Sequence, residues 1–246
     1  YEVRMNAVIL IAKRELAGYF RTWLGYVIIA AVLVLDGLLF NAFALGSGMD
    51  RKSSEVISQF FFFSSGVTMT ASVFISMRLL AAERESGTVN LLYSSPVRDF
   101  EIVLGKYLAA LGFLAILLAA SVYMPAMVLV AGKISWGHVF AGYLGLLLLG
   151  AASLAVGTFG SAVTRSQILA VILSAVMVVA LLVMWWVGRV TDRPLSSVFE
   201  NLALWSLHFP PFQAGIIHLR DVIYYVAISY VALFASVRVL EARRWR

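Results

Sequence analysis

Charge interrupts this chain at only a few places, and between them it repeatedly runs for the width of a bilayer without any. Stretches free of Asp, Glu, Lys and Arg cover Thr22–Leu35 (resuming beyond Asp36 to Met49), Val56–Met77, Tyr107–Gly132, Ile134–Thr164, Ser166–Gly188, Asn201–Leu219 and Val222–Val237. A helix needs about 20 apolar residues to cross the hydrocarbon core. Lipid offers no hydrogen-bond partner, so each crossing segment must satisfy its own backbone, which a helix does. With 13% charged residues, where soluble domains carry about a quarter, the chain reads as an all-α integral membrane protein. Six spans of about 22 residues leave too little of the 246 for a large soluble domain. The expectation is one transmembrane domain over 1–246.

One of the seven stretches does not read as a span. Asn201–Leu219 holds His208, Pro210, Pro211, Gln213 and His218, a density of polar and helix-breaking residues that lipid tolerates poorly. It reads as a re-entrant hairpin inside a segment, 192–221, on the outer side before the sixth span. Val222–Val237 has only 16 residues, but Arg238 can snorkel from its end and the span stands. Six spans put both termini on one side. That side then carries 13 Lys and Arg and the other carries 6, which together make the 19 of the chain. By the positive-inside rule both termini are cytoplasmic, in a multi-pass protein of the cytoplasmic (inner) membrane. The net charge of +6 therefore points to headgroups, not to nucleic acid.

Ahead of the first span, Ile9, Ala12, Leu16, Tyr19 and Phe20 recur at helical spacing, with Lys13, Arg14, Glu15 and Arg21 among the intervening residues. Such a pattern predicts an elbow helix over 1–22 lying in the headgroup plane. Charges at Glu2, Arg4, Lys13, Arg14 and Glu15 do not fit the short charged start of a cleavable signal peptide, so this segment is expected to be retained.

The longest polar connection, RLLAAERESGTVNLLYSSPVRDFEIVLGK, lies between spans 2 and 3 on the cytoplasmic side, with its core at 79–98. Leu79 to Tyr93 is expected to form a short helix that Gly87 interrupts, with Leu91, Leu92 and Tyr93 as apolar knobs beyond the break. Pro96 limits it, since the residue before a proline avoids the helical region. By composition alone this is a solvated connector. Its order of residues says more: Glu83 and Glu85, Gly87-Thr88, Leu91-Leu92, Pro96, Ile102-Val103-Leu104, then Gly105-Lys106. That order resembles the cytoplasmic segment of ABC transporter permeases of the type-2 (ABC-2) export family. The resemblance extends to the basic elbow, to the six spans and to SLHFPPFQAGIIHLRDVIYY, which is similar to the gliding-motility-associated branch.

The resemblance implies a coupling helix that docks into a separate ATPase, with Glu83, Arg84, Glu85, Gly87, Thr88, Leu91, Leu92 and Pro96 as the contact. It also implies a second permease chain, identical or not, making twelve helices. No G-x-x-x-x-G-K-[ST] phosphate loop occurs here, because Gly105-Lys106 is followed by Tyr107 and Gly132-Lys133 by Ile134. The chain is expected to be no enzyme and to bind no cofactor, with ATP and Mg²⁺ entering through the partner ATPase. Cysteine is absent, and His138, His208 and His218 lack metal-ligand spacing. Ser64-Ser65 and Ser94-Ser95 have no triad partners in any motif.

Asp36 sits alone near the middle of the first span, where a carboxylate is costly unless it faces protein or water. Asp36 and Asn41 are therefore candidates for a translocation path or a dimer interface, and pairing of Asp36 with Asn41 or a serine of the second span is the structural alternative. His208, Phe209, Pro210, Pro211 and Phe212 are candidates for an extracellular gate wedged in the outer leaflet, or for a cap. The resulting expectation is the permease subunit of an ATP-driven exporter moving a hydrophobic or amphipathic substrate. The alternatives are a scaffold anchoring an ATPase in a motility or secretion machine and, more remotely, an ion-coupled transporter, which would need paired intramembrane charges.

Overall fold

A computed structural model describes residues 2–44, 52–87, 98–131 and 135–244. Among them the elements are all helical: α1 (Glu2–Arg21), α2 (Trp23–Leu39) continued by a π-helical stretch Phe40–Ala44, α3 (Ser53–Ser76), α4 (Ala81–Glu85), α5 (Asp99–Ala120), α6 (Tyr123–Ala131), α7 (Trp136–Val163), α8 (Gln167–Val190), α9 (Leu195–Leu202), α10 (Pro210–Gln213) and α11 (Leu219–Arg244). Six segments are long and apolar enough to cross a membrane: Trp23–Phe43, Ser53–Glu85, Asp99–Val128, Trp136–Val163, Gln167–Val190 and Leu219–Arg243. The seventh stretch breaks up as its prolines and polar residues require. It holds the end of α9, a run of turns, and α10, whose first two residues are Pro210 and Pro211, positions where a missing N–H costs nothing.

The bundle is organised around α7, which packs against α3, α5, α8 and α11 and is largely buried, whereas α2, α8 and α11 keep most of their apolar surface outward. Glycine makes this position available to α7. A Cβ added at Gly142 would lie 2.1 Å from the Phe61 ring, and one at Gly157 would lie 2.0 Å from Ser76 Oγ. Small residues bring helix backbones close, and in a membrane that proximity supplies the dispersion contact that holds helices together. Gly157→Ala is accordingly expected to lower stability by about 1–3 kcal/mol through overpacking. The check is the melting temperature of the detergent-solubilised protein, and an unchanged value would refute the tight seam.

Several hydroxyls in this core return to their own helices. Ser72 donates to Thr68 O at 2.8 Å, Ser153 to Leu149 O at 2.9 Å and Thr158 to Leu154 O at 2.8 Å, so their burial leaves no orphaned donor. Trp23, Tyr26, Trp136 and Trp186 are exposed, as an interfacial aromatic belt demands, and Trp185 stacks beneath Arg189 at 4.6 Å. Two other aromatic residues turn inward: Tyr143 meets Ser121 Oγ at 3.1 Å, and Trp205 Nε1 donates to Ser65 Oγ at 2.9 Å. Each polar tip has found a partner inside the protein.

Candidate functional site

Helix α4 begins at Ala81, two residues later than the sequence suggested, because Leu79 and Leu80 are buried in the bundle. Its first amides are satisfied from another helix. Leu80 N and Ala81 N donate to Ser161 Oγ of α7 at 3.1 and 2.9 Å, and that hydroxyl donates onward to Met77 O at 3.1 Å. The helix stops after one turn, and Gly87 takes φ +72°, the left-handed conformation that glycine adopts at helix ends without strain.

The side chains of α4 reach inward to the turn between α7 and α8. Arg84 donates to Ala162 O and, at 2.9 Å, to Thr164 O, the last carbonyls of α7. Glu85 Oε2 accepts from Gln167 N, the first amide of α8, at 3.2 Å. From α11, Arg243 donates to Val163 O. Cations at a helix C-terminus and a carboxylate at a helix N-terminus each complement the local dipole. This turn is thus held by α4 on one side and by the end of α11 on the other.

Lys106, in the second turn of α5, completes the assembly. Its ammonium is 3% exposed and lies 3.1 Å from Glu15 Oε1 of α1 and 2.7 Å from Glu83 Oε1 of α4. Two part-buried carboxylates compensate the desolvation of this buried ammonium. Gly105 beside it has the complementary task. A Cβ there would lie 2.8 Å from Ile11 Cγ2 and 3.1 Å from Val8 O, so its absence lets α1 lie directly on α5. Burial raises the Glu15 carboxyl, but Lys106 and then Arg14, whose Nη2 is 3.1 Å away, outweigh it and hold Glu15 below the usual range. Burial keeps the Tyr19 hydroxyl protonated, and it donates to Ile75 O at 3.3 Å while its ring stacks on Phe113 at 4.7 Å.

The elbow is therefore a packed element of the bundle, with Lys13, Arg14 and Arg21 exposed and Glu15 turned inward. Glu83, Arg84 and Glu85 were expected to face a partner, and all three make contacts within the chain. Glu85, Ser86 and Gly87 form an exposed tip. Thr88, Leu91, Leu92 and Pro96 lie outside the described residues. Sequence reasoning missed Ser161, Arg243 and the pairing of Lys106 with Glu15 and Glu83. The available signal was charge balance, since a lysine and a glutamate both abutting apolar stretches are cheapest when they meet.

Asp36 is 3% exposed and accepts from Ser64 of α3 at 3.0 Å, so the second-span serine is its partner, while Asn41 is exposed. At the opposite end of the bundle, His208 Nδ1 lies 2.7 Å from Asp221 Oδ1 and its Nε2 lies 3.2 Å from Asn201 O. His208 thus joins the end of α9 to the start of α11 through its two ring nitrogens. Tyr224 stacks on that ring at 3.6 Å. Phe209 and Phe212 are fully buried, a core placement where the sequence offered a gate wedged in the outer leaflet or a cap; Phe212 packs on Gly145 of α7 and Tyr225 of α11, and Phe209 stacks on Trp205. His138 Nε2 meets Gln213 O at 2.8 Å. Among the described residues no cluster of three or more His, Asp or Glu is placed to hold a metal.

No curated protein matches this sequence. A family model described as ABC-2 family transporter protein matches residues 40–240, from the end of α2 to the end of α11, taking in α4, Lys106 and the α7–α8 turn. With six membrane-spanning segments and a match over most of its length, the chain belongs to the ABC-2 transporter family as a multi-pass membrane component.

Proposed function

We propose that this chain is the permease subunit of an ATP-driven exporter, that a separate ATPase docks at α4 and the residues that follow it, and that both termini are cytoplasmic. The observation that carries the reading is the ion-paired Lys106. Through it and Arg84, the short helix α4 is bonded to α1, α5 and the α7–α8 turn at once, so a push on its exposed tip reaches four elements of the bundle. An energy-coupling element needs that connectivity, and a solvated connector does not. Contact with the ATPase then falls to the tip Glu85–Gly87 and to Thr88, Leu91, Leu92 and Pro96 of the family pattern, while Glu83 and Arg84 act by positioning α4. Two permease chains would pair to serve two ATPase subunits.

An apolar groove of about 750 Å³ between α7, α8, α9 and α11, lined by Val156, Leu181, Val198, Leu202, Ile228 and Val231 among others, supports a hydrophobic or amphipathic substrate. Asp36 and Asn41 as part of a path, and the segment 208–212 as an outer gate, belong to the same proposal. Opening that gate would require buried aromatic residues to leave the core.

The test is co-purification. Wild-type protein drawn from native membranes is expected to bring a nucleotide-binding ATPase with it, and Leu91→Glu is expected to reduce that recovery at least tenfold while the permease elutes as a folded species. Absence of any ATPase from the wild-type preparation would refute the reading. An ATPase whose turnover no apolar compound stimulates after reconstitution would favour a scaffold over a transporter.

A further inference from the structure

The break between α1 and α2 opens a polar cavity of about 380 Å³ bordered by Arg21, Thr22, Trp23, Arg78 and Gln167. Local geometry fixes it. Thr22 is extended (φ −105°, ψ 142°) between two helices, and its hydroxyl donates back to Gly18 O at 3.2 Å. At Gly25 any Cβ would lie 2.0 Å from Tyr19 O, so the chain can reverse tightly there. The cavity consequently sits where the elbow ends and the first span begins, the part of a membrane chain that meets the headgroups.

Its electrostatics are one-sided. No acidic residue lines it, and neither Arg21 nor Arg78 has an ion-pair or side-chain hydrogen-bond partner among the described residues. Arg78 also borders a smaller neighbouring cavity that contains Glu15 and Glu83, but those carboxylates are engaged by Lys106. Glu85 approaches Gln167 only to accept its backbone amide. Two unneutralised guanidinium groups at one concave site are matched to a phosphate, whose oxygens fit the guanidinium fork. Trp23, 75% exposed at the rim, is the residue type that settles at the boundary between headgroups and acyl chains.

We propose that this cavity binds the phosphodiester of an anionic membrane lipid, held by Arg21 and Arg78, with its acyl chains running down beside Trp23. The bound lipid would bridge the end of the elbow to the segment that leads into α4, one residue from the Met77 carbonyl to which Ser161 donates. This inference does not depend on the ATPase partner.

The experiment is native mass spectrometry of the purified chain released from nanodiscs containing equal phosphatidylglycerol and phosphatidylcholine, with inorganic phosphate as a competitor in a second arm. Wild-type protein is expected to retain phosphatidylglycerol selectively. Arg21→Gln with Arg78→Gln is expected to reduce that retention roughly 25-fold, about fivefold for each cation near an anionic surface. Should the double variant not fold, exposed Arg21→Gln alone is expected to show the single fivefold loss. Equal retention of the two lipids, or retention unchanged in the folded variants, would overturn the site. Displacement by millimolar inorganic phosphate would overturn its assignment to a lipid in favour of a soluble anion.

Discussion

Lys106→Met is expected to destabilise the protein by about 3 kcal/mol or more and to uncouple it from its ATPase. The side chain it replaces is 3% exposed and, among the described residues, contacts both Glu15 and Glu83. Removing one partner of a buried ion pair costs about 3–5 kcal/mol, because the remaining charge stays desolvated and uncompensated. The lower end applies here, since Glu15 is 26% exposed and keeps Arg14. Thermal melting in detergent measures the loss. Adding Glu15→Gln and Glu83→Gln to Lys106→Met removes the carboxylate charges that faced the lysine and is expected to recover most of the stability while the link between α1, α4 and α5 stays broken. Substrate-stimulated ATP hydrolysis of the complex should therefore remain low in the triple variant. A Lys106→Met protein that melts and couples like the wild type would remove the central element of the proposed mechanism.

At the other end of the bundle, His208→Leu is expected to cost about 3 kcal/mol, because it leaves the buried Asp221 without the ring that bonds its Oδ1 at 2.7 Å. Asp221 is wholly buried, and its Oδ2 has no partner among the described residues. Without the imidazole its nearest cation is Arg220, at 3.3 Å from Oδ1 and largely exposed. The connection from α9 to α11 would lose its anchor, because His208 also bonds Asn201 O and stacks on Tyr224. The expected readouts are a lower melting temperature and faster proteolytic cleavage within 192–221, with little effect on ATPase co-purification. If the variant melts with the wild type, the pair contributes no net stability and the segment is held by Phe209 and Phe212 alone.

The spans were legible because lipid imposes one rule on every crossing segment, and that rule is written in residue type. Thr22 as the end of the elbow, the prolines at 210–211 and Gly87 as a helix stop were legible for a similar reason: each acts on its own backbone. The partners of Lys106, Arg84 and Glu85 were not, since apart from Glu83 they lie between 78 and 91 residues away in the chain, at distances that only the fold sets. The same holds for Tyr143 and Trp205, which a belt would accept as readily as the core does.

Sequence alone determined that this chain is a six-span helical membrane protein with a charged connection after the second span, because hydrophobic length and helix-breaking residues act locally and need no knowledge of neighbours. Only the tertiary structure decided which charges neutralise each other, joining Glu15, Glu83 and the buried Lys106 into one network and leaving Arg21 and Arg78 without ion-pair partners among the described residues. Ion pairing depends on distances of a few ångströms between remote helices, and those distances are fixed by the glycines of α7 and by Gly105 of α5, through packing that no single segment specifies.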